Sequence, residues 1–400
     1  MALAGRYQAI LFDLDGVLYR GDRPIQHAAD AVRKLRAEGR RLAFVTNNSS
    51  RTAKEIAEAL GALGIDAGPE EVVTSAAATA SLIASRGGGS AFVIGERGIR
   101  DALAEAGVEV LDGEPTFADW VVVGWDRSAD YGKLRTAALL VQRGAKLVAT
   151  NADASYPAPD GAWPGAGALL AAVTTTTGAS AEVVGKPHPP LFEAARERAG
   201  GGAALFVGDR LDTDVAGAAA VGIDTLLVFT GIARPSDLLH VDVQPTFVGG
   251  DLRTLSRDVP RVRAAAEADL PGIAELLRRT GLDPDTVVDR PTTTLVAELE
   301  DATVVGTIAL ELAGEDAHLR SLAVEERHRH SYLGALLTAH AARDARHSGA
   351  RSLIIATETA ESFFERLGFV RVGALDALPA VFRRHMQPCS EAAAVMRLAL

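Results

Sequence analysis

The sequence predicts an α/β protein, a doubly wound, Rossmann-like sheet carrying an inserted α/β unit, followed by a separate α+β domain. Three observations predict it. Residues Ala9–Phe12 form an apolar run that stops at Asp13-Leu14-Asp15-Gly16, the pattern of a strand buried on both faces with its carboxyl end opening on polar residues. Short apolar runs then alternate with helical spacings up to about residue 250, as successive βαβ units require. A stretch rich in Arg, Ser, Asp and Pro at Leu252–Pro260 breaks that alternation and marks a linker to a further domain.

Composition bounds the function classes. A chain of 400 residues with 48% hydrophobic content suits two or three domains with full cores. Lysine and arginine number 41 against 52 acidic residues, a net charge of −11, and no basic block is interleaved with aromatics, which argues against a nucleic-acid partner. The run around Gly165–Val173 is broken by glycine and followed by Thr174–Thr177, so no membrane span of about 18–20 apolar residues is expected. Only Arg6 precedes the Ala9–Phe12 run, which is too short for the core of a signal peptide and already serves as a strand, so no export is expected. The single cysteine, Cys389, excludes an intramolecular disulfide and reads as a small apolar residue in a reducing cytosol. A cytoplasmic location is expected, and a homodimer stays open.

Taken in order, Ala28, Ala31, Val32 and Leu35 recur at helical spacing and Gly39 ends that helix. Leu42–Val45 is the next buried strand. Only one βα unit separates Asp15 from Thr46, whereas a long gap separates Asn48 from Lys186, so a large insertion lies in the second gap. It supplies strands Ala91–Ile94, Trp120–Val123 and Lys146–Thr150 and helices Ile99–Ala106, Leu134–Gln142 and Gly167–Val173. Pro187 and Pro189 are expected to delay the following helix to about Leu191. Ala204–Val207, Thr225–Val228 and Thr246–Val248 close the sheet.

Strand ends carry the chemistry in such sheets. Asp13 and Asp15 repel one another unless a cation holds them, and Gly16 lets the backbone turn beneath them; this describes a magnesium site with an anionic substrate as missing partner. An isolated Asp-x-Asp-Gly also serves as a plain turn. Thr46-Asn47-Asn48 stands at a strand-to-helix junction, where hydroxyl, amide and helix-end N–H groups can face a phosphate, although Thr46 also suits a helix cap. Lys186 sits in a proline-bounded loop as a positioned point charge. Asp209 and Asp214 flank a helix start, with Asp212 read as a cap.

Asp13-x-Asp15-Gly-Val-Leu, Phe44-Val45-Thr46-Asn47-Asn48, Gly185-Lys186-Pro187 and Gly208-Asp209-Arg210-Leu211-Asp212-Thr213-Asp214 occur in the order of the four signature motifs of the haloacid dehalogenase-like hydrolases. The chain resembles the NagD-like branch of that superfamily over about residues 5 to 255. The resemblance implies a Mg²⁺-dependent phosphomonoesterase acting through an aspartyl-phosphate. Asp13 would be the nucleophile and Asp15 the general acid and base. Asp13, the Asp15 backbone carbonyl and Asp209 would hold the metal with Asp214 outside them, and Thr46, Asn47, Asn48 and Lys186 would bind substrate. It implies a hydrolase core at 1–77 and 186–255 and a cap at 78–185. The substrate implied is a small phosphate ester, with glycerol 3-phosphate foremost and 2-phosphoglycolate, pyridoxal phosphate, nucleoside monophosphates or p-nitrophenyl phosphate as alternatives. A dehalogenase is disfavoured by the second aspartate, a phosphomutase by the short first gap. Gly124-Trp125-Asp126, Tyr131-x-Lys133-Leu134 and Ala149-Thr150-Asn151-Ala152-Asp153 resemble the family's cap pattern, and Trp125, Asp126 and Asp153 are read as packing and turn residues.

From about residue 259 to 400 the chain resembles a GNAT acetyltransferase domain, most specifically in Phe364-Glu365-Arg366-Leu367-Gly368-Phe369. The resemblance points to Leu322, Val324, Arg329 and Gly334 as positions that would serve acetyl-CoA. Where that family uses Arg-x-x-Gly-x-Gly/Ala, this chain reads Arg329-His330-Ser331-Tyr332-Leu333-Gly334, so Tyr332 replaces the first glycine and weak or absent acetyl-CoA binding is expected. A bifunctional phosphatase and N-acetyltransferase, or an acyl-CoA sensor, is the alternative. His318, His328, His330, His340 and His347 have no cysteine or carboxylate at ligand spacing and are read as solvated or capping residues.

Overall fold

The computed structural model describes residues 1–158, 160–284, 293–383 and 393–400. Cys389 lies outside the described residues. The chain groups into two compact units, one of residues 7–208 and 212–224, the other of residues 1–6, 209–211 and 225–400.

In the first unit, strands Ala204–Gly208, Ala9–Asp13, Arg41–Thr46 and Val72–Thr74 lie side by side in that order, all parallel. All five residues of Ala9–Asp13 are buried, which is what an unbroken apolar run in a doubly covered sheet requires. Asp13 lies opposite Val45 and Thr46 opposite Thr74, so the two site candidates end neighbouring strands on the same edge. Helix Ala28–Ala37 is closed by Gly39 at φ 73°, the left-handed conformation glycine supplies without strain. Helix Ala53–Ala62 opens with a reciprocal box in which Glu55 N–H donates to Thr52 Oγ1 at 3.2 Å and Thr52 N–H donates to Glu55 Oε2 at 2.8 Å. Thr52 is thus the cap, which leaves Thr46 at the strand end. The helix after Lys186, Pro189–Arg198, starts at Pro189 and not near Leu191. The first N–H groups of a helix have no intrahelical partner, so prolines there remove nothing.

Residues 90–183 form a second parallel sheet, in the order Glu182–Val183, Lys146–Ala149, Trp120–Val123, Ser90–Ile94 and Glu109–Leu111. Helix Ala166–Thr177 extends through the threonines that sequence periodicity set outside it, and the Thr174, Thr176 and Thr177 hydroxyls satisfy themselves by donating back to the carbonyls of Ala171, Ala172 and Val173. An antiparallel hairpin, Ser155–Ala158 with Gly161–Pro164, was not legible in the periodicity.

In the second unit, Leu226–Val228 pairs in parallel with Phe247–Gly249. A seven-stranded sheet comes next, in the order Arg261–Ala264, Thr293–Glu298, Val304–Ala313, Asp316–Val324, Ser352–Thr357, Ala394–Ala399 and Val370–Gly373. Its pairs are antiparallel except Asp316–Val324 with Ser352–Thr357. The pairing of Val304–Ala313 with Asp316–Val324 slips at a bulge where Ser321 has φ 52°. Helix Leu333–His347 packs on this sheet through an apolar face that includes Leu333, Leu336 and Leu337. No helix among the described residues is long and apolar enough to cross a membrane.

Candidate active site

Asp13 ends its strand 8% exposed, and the chain turns at once: Gly16 adopts φ 80° and its N–H donates to the Tyr19 carbonyl at 2.8 Å. Asp15, on the outer side of this turn, is exposed. Burial, and then the negative charges of Asp13 and Asp15, push the Tyr19 phenol up to about 12.

Lys186 reaches Asp13 from the neighbouring loop. Its Nζ donates to Asp13 Oδ1 at 2.5 Å and to Asp214 Oδ1 at 2.7 Å, with the lysine side chain 5% exposed. Burial alone would push the ammonium down, but the two carboxylates outweigh it and hold Lys186 well above the usual lysine range, so it is charged. The loop is built for this reach. Asn47 Oδ1 accepts the Lys186 N–H at 2.8 Å, and Asn47 Nδ2 donates to the Lys186 carbonyl at 3.1 Å. A Cβ on Gly185 would collide with the Thr150 carbonyl and Asn47 Oδ1, which is why glycine precedes the lysine.

Asp209 follows strand Ala204–Gly208 directly and is 2% exposed; its Oδ2 accepts the Ile232 N–H at 2.7 Å. Asp214 sits in the wide π-type turn Leu211–Val215. A side chain on Gly208 would strike Asp214, and one on Gly231 would strike Asp209 Oδ2. Asp13, Asp209 and Asp214 each bring a carboxylate oxygen within 4.8 Å of the others. Three buried carboxylates this close repel, and a set of hard oxygen donors that Lys186 only partly neutralises fits a divalent cation of the magnesium or calcium type. Asp214, expected from the sequence to stand outside the metal, has a carboxylate oxygen within 4.8 Å of those of Asp13 and Asp209.

Thr46 is 9% exposed, and its Oγ1 accepts the Asn48 N–H at 3.1 Å. Asn48 Oδ1 accepts from the Ser50 N–H and hydroxyl, each at 2.9 Å, so its side chain shapes the turn. The two asparagines expected on the substrate thus bond protein groups, one gripping Lys186 and the other closing the loop after Thr46.

A cavity of about 600 Å³ adjoins Asn48 and is lined by Arg51, Arg97, Arg127, Trp125 and Tyr156 among others. Trp125 and Tyr156 stack at 4.2 Å between ring centroids, 24° from parallel, and the Arg127 guanidinium lies 5.3 Å from the Trp125 centroid. Tyr156 belongs to the hairpin that periodicity missed. Asp126 accepts from Lys133 Nζ at 2.8 Å and from the Ser128 N–H at 2.8 Å. Burial would raise its carboxyl, but Lys133 and Ser128 draw it below the usual range, so it is a buried turn anchor. Asp153 Oδ2 accepts from Asn47 Nδ2 at 3.3 Å, so the 90–183 segment bonds the residue that holds Lys186.

In the second unit, Leu322 and Val324 follow the Ser321 bulge, and Arg329 Nε donates to the Val324 carbonyl at 3.2 Å. A Cβ on Gly334 would come within 3.2 Å of the Phe363 ring. Tyr332 occupies the left-handed region at φ 65°.

Residues 10–109 match the haloacid dehalogenase-like hydrolase model and residues 183–255 a second model of HAD-hydrolase-like domains. An acid sugar phosphatase of Staphylococcus aureus is 40% identical over 250 residues, 62% of this chain and 96% of the relative. The chain belongs to the haloacid dehalogenase-like hydrolases. Residues 290–371 match a GNAT acetyltransferase domain, so this hydrolase carries a GNAT-like domain at its carboxyl-terminal side. The chain is similar to the crystal structure of a glycerol phosphate phosphatase of Mycobacterium tuberculosis in complex with calcium, at 29% identity and TM-score 0.72, covering 93% of this chain and 100% of that one. It is also similar to a thermostable p-nitrophenylphosphatase of Bacillus stearothermophilus, at 38% identity and TM-score 0.57, covering 63% of this chain and 98% of that one.

Proposed function

We propose that this phosphoric monoester hydrolase is a Mg²⁺-dependent phosphatase of small polyol or sugar phosphates, with glycerol 3-phosphate its foremost substrate. The observation that carries the reading is the meeting of Asp13, Asp209 and Asp214 within 4.8 Å with the buried Lys186 ammonium on Asp13 and Asp214. Its domain plan is a core of residues 1–77 and 186–255, a cap of 78–185 and a GNAT-like domain of 259–400. The relatives named as an acid sugar phosphatase and a glycerol phosphate phosphatase favour a small polar ester.

Asp13 and Asp15 carry the reaction. An Asp13 carboxylate oxygen forms a bond to phosphorus as the bond to the ester oxygen breaks, and Asp15 gives its proton to the departing alkoxide. Asp15 then takes a proton from water, whose oxygen bonds to phosphorus and releases Asp13 and inorganic phosphate. Lys186 and Thr46 offset charge on the phosphoryl oxygens, and Asn47 keeps Lys186 in place. Asp13, Asp209 and Asp214, with the Asp15 backbone carbonyl, would hold a divalent cation, which supplies charge neutralisation at the phosphoryl group. The Trp125 and Tyr156 wall would receive the alcohol part of the substrate.

The GNAT-like domain is read as one that does not transfer acetyl groups. Its support is Tyr332, which carries a ring where the GNAT pattern has glycine. Specificity constants over a panel of phosphate esters test the substrate reading: glycerol 3-phosphate should exceed p-nitrophenyl phosphate, and equality would refute it. Calorimetry of the full chain with acetyl-CoA should show no binding at millimolar ligand, and micromolar binding would refute the second part.

A further inference from the structure

We propose that Tyr332 is a positioning residue for the cation site, bracing the 229–233 loop that holds Asp209, so that the GNAT-like domain acts as a buttress of the hydrolase. The inference rests on the reading of Asp209 as a metal ligand.

The chain of contacts is short. Tyr332 packs its ring on Phe229, centroids 4.6 Å apart and tilted by 51°, and its Cε2 lies 3.4 Å from where a Gly250 side chain would begin. Phe229 follows strand Asp224–Val228 and Gly250 follows strand Phe247–Gly249, and the Phe229 N–H donates to the Gly249 carbonyl at 3.1 Å. One tyrosine therefore spans the carboxyl ends of two paired strands, the edge on which such sheets place their ligands. Three residues beyond Phe229, the Ile232 N–H donates to Asp209 Oδ2 at 2.7 Å, and the Ala233 N–H donates to the Asp209 carbonyl at 3.1 Å. The loop thus holds both the side chain and the backbone of Asp209.

Two further features fit a brace. Tyr332 keeps φ 65°, a conformation that residues with a Cβ adopt only where surrounding contacts uphold it. At the far end of the same helix, Leu333–His347, the Arg346 guanidinium donates to the carbonyls of Leu239 and Val241, so the helix grips the segment at both ends. Groups that orient a metal-ligating carboxylate govern its affinity for the metal. The helix start that would serve CoA in the GNAT pattern is here turned to a contact within the chain.

Isothermal titration of the full chain with MgCl₂ alone tests this, on the natural protein, Tyr332→Ala, Tyr332→Phe and Phe229→Leu. Tyr332→Ala should weaken Mg²⁺ binding by roughly 3–10-fold, at or below the low end for outer-sphere partners of a metal ligand. Tyr332→Phe keeps the ring and should restore natural affinity. At saturating Mg²⁺ the KM for p-nitrophenyl phosphate should stay within about twofold, since only the metal ligand is loosened. If Tyr332→Ala does not fold, Phe229→Leu, which keeps apolar volume but loses the ring contact, should show the same weakening. Unchanged Mg²⁺ affinity in Phe229→Leu and in folded Tyr332→Ala, or a Tyr332→Phe variant as weak as Tyr332→Ala, overturns the brace. A natural protein that takes up no Mg²⁺ overturns the metal reading beneath it.

Discussion

Asn47 grips the backbone of Lys186 on both sides, its Oδ1 accepting the lysine N–H at 2.8 Å and its Nδ2 donating to the lysine carbonyl at 3.1 Å. A flexible four-carbon side chain then has a fixed origin, and its ammonium can settle between Asp13 and Asp214. Asn47→Ala removes both bonds. We expect a stability loss of about 1–3 kcal/mol, the penalty for stranding partly buried backbone groups. A fall in kcat/KM approaching 10²-fold should accompany it, as for other small misplacements of a positioning group. Thermal melting and steady-state kinetics on one preparation check it, and full activity would remove Asn47 from the site's support.

Lys186→Met leaves the carboxylates of Asp13 and Asp214 buried without their ammonium. Breaking such a pair costs about 3–5 kcal/mol. The variant should melt earlier and turn over at least 10²-fold more slowly, the lower end of what a charge-stabilising donor contributes. Added Mg²⁺ should raise its melting temperature more than that of the natural protein, because cation binding then relieves more repulsion. Equal Mg²⁺ effects on the two proteins would contradict this.

Tyr19 makes a prediction at alkaline pH. Its phenol is pushed up to about 12 by burial and by Asp13 and Asp15. An unfolded tyrosine titrates near ~10. A group whose proton is held more tightly in the folded state contributes stability fully below the unfolded value and loses it as pH rises through the folded value. The natural protein should therefore lose stability between about pH 10 and 12 that Tyr19→Phe retains, read from denaturant midpoints across that range. Identical pH slopes for the two proteins would be contrary.

Trp125 and Tyr156 should set KM more than kcat. Trp125→Ala removes one ring of the 4.2 Å stack and opens the wall beside Arg127. We expect KM for glycerol 3-phosphate to rise about 10-fold, the scale of a lost apolar contact in a pocket, with kcat changed far less. Substrate-saturation curves decide it; a selective fall in kcat would place Trp125 at the chemistry.

The fold was legible where residues obey one dominant rule. Ala9–Asp13 reads as a buried strand because burial on both faces leaves no room for polar alternation. The hairpin Ser155–Ala158 with Gly161–Pro164 was not legible, since its four-residue strands carry prolines and exposed aromatics and no clean period of two. Pro189 misled the helix start because proline breaks helices inside but suits their first turn. Within the site, Asp13, Lys186 and Asp209 stood out as charges at the ends of apolar runs. The work of Asn47 did not, for its partner is 139 positions away in sequence. Tyr332 drew notice as a departure from a glycine pattern, but only its packing on Phe229 gives that departure a use.

Asp15 offers the most direct test of the proposed chemistry, because as acid and then base it would serve the two half-reactions unequally when the leaving group is good. With p-nitrophenyl phosphate the departing phenolate needs little help from an acid, whereas water attacking the phospho-enzyme still needs a base. Asp15→Asn should therefore accumulate the intermediate. The decisive measurement is acid quenching of Asp15→Asn after mixing with radiolabelled p-nitrophenyl phosphate and Mg²⁺, followed by mapping of the labelled peptide. Label on Asp13 that disappears in the Asp13→Asn, Asp15→Asn double variant is the result expected; label on another residue, or none while p-nitrophenol is released in a burst, would contradict nucleophilic attack by Asp13.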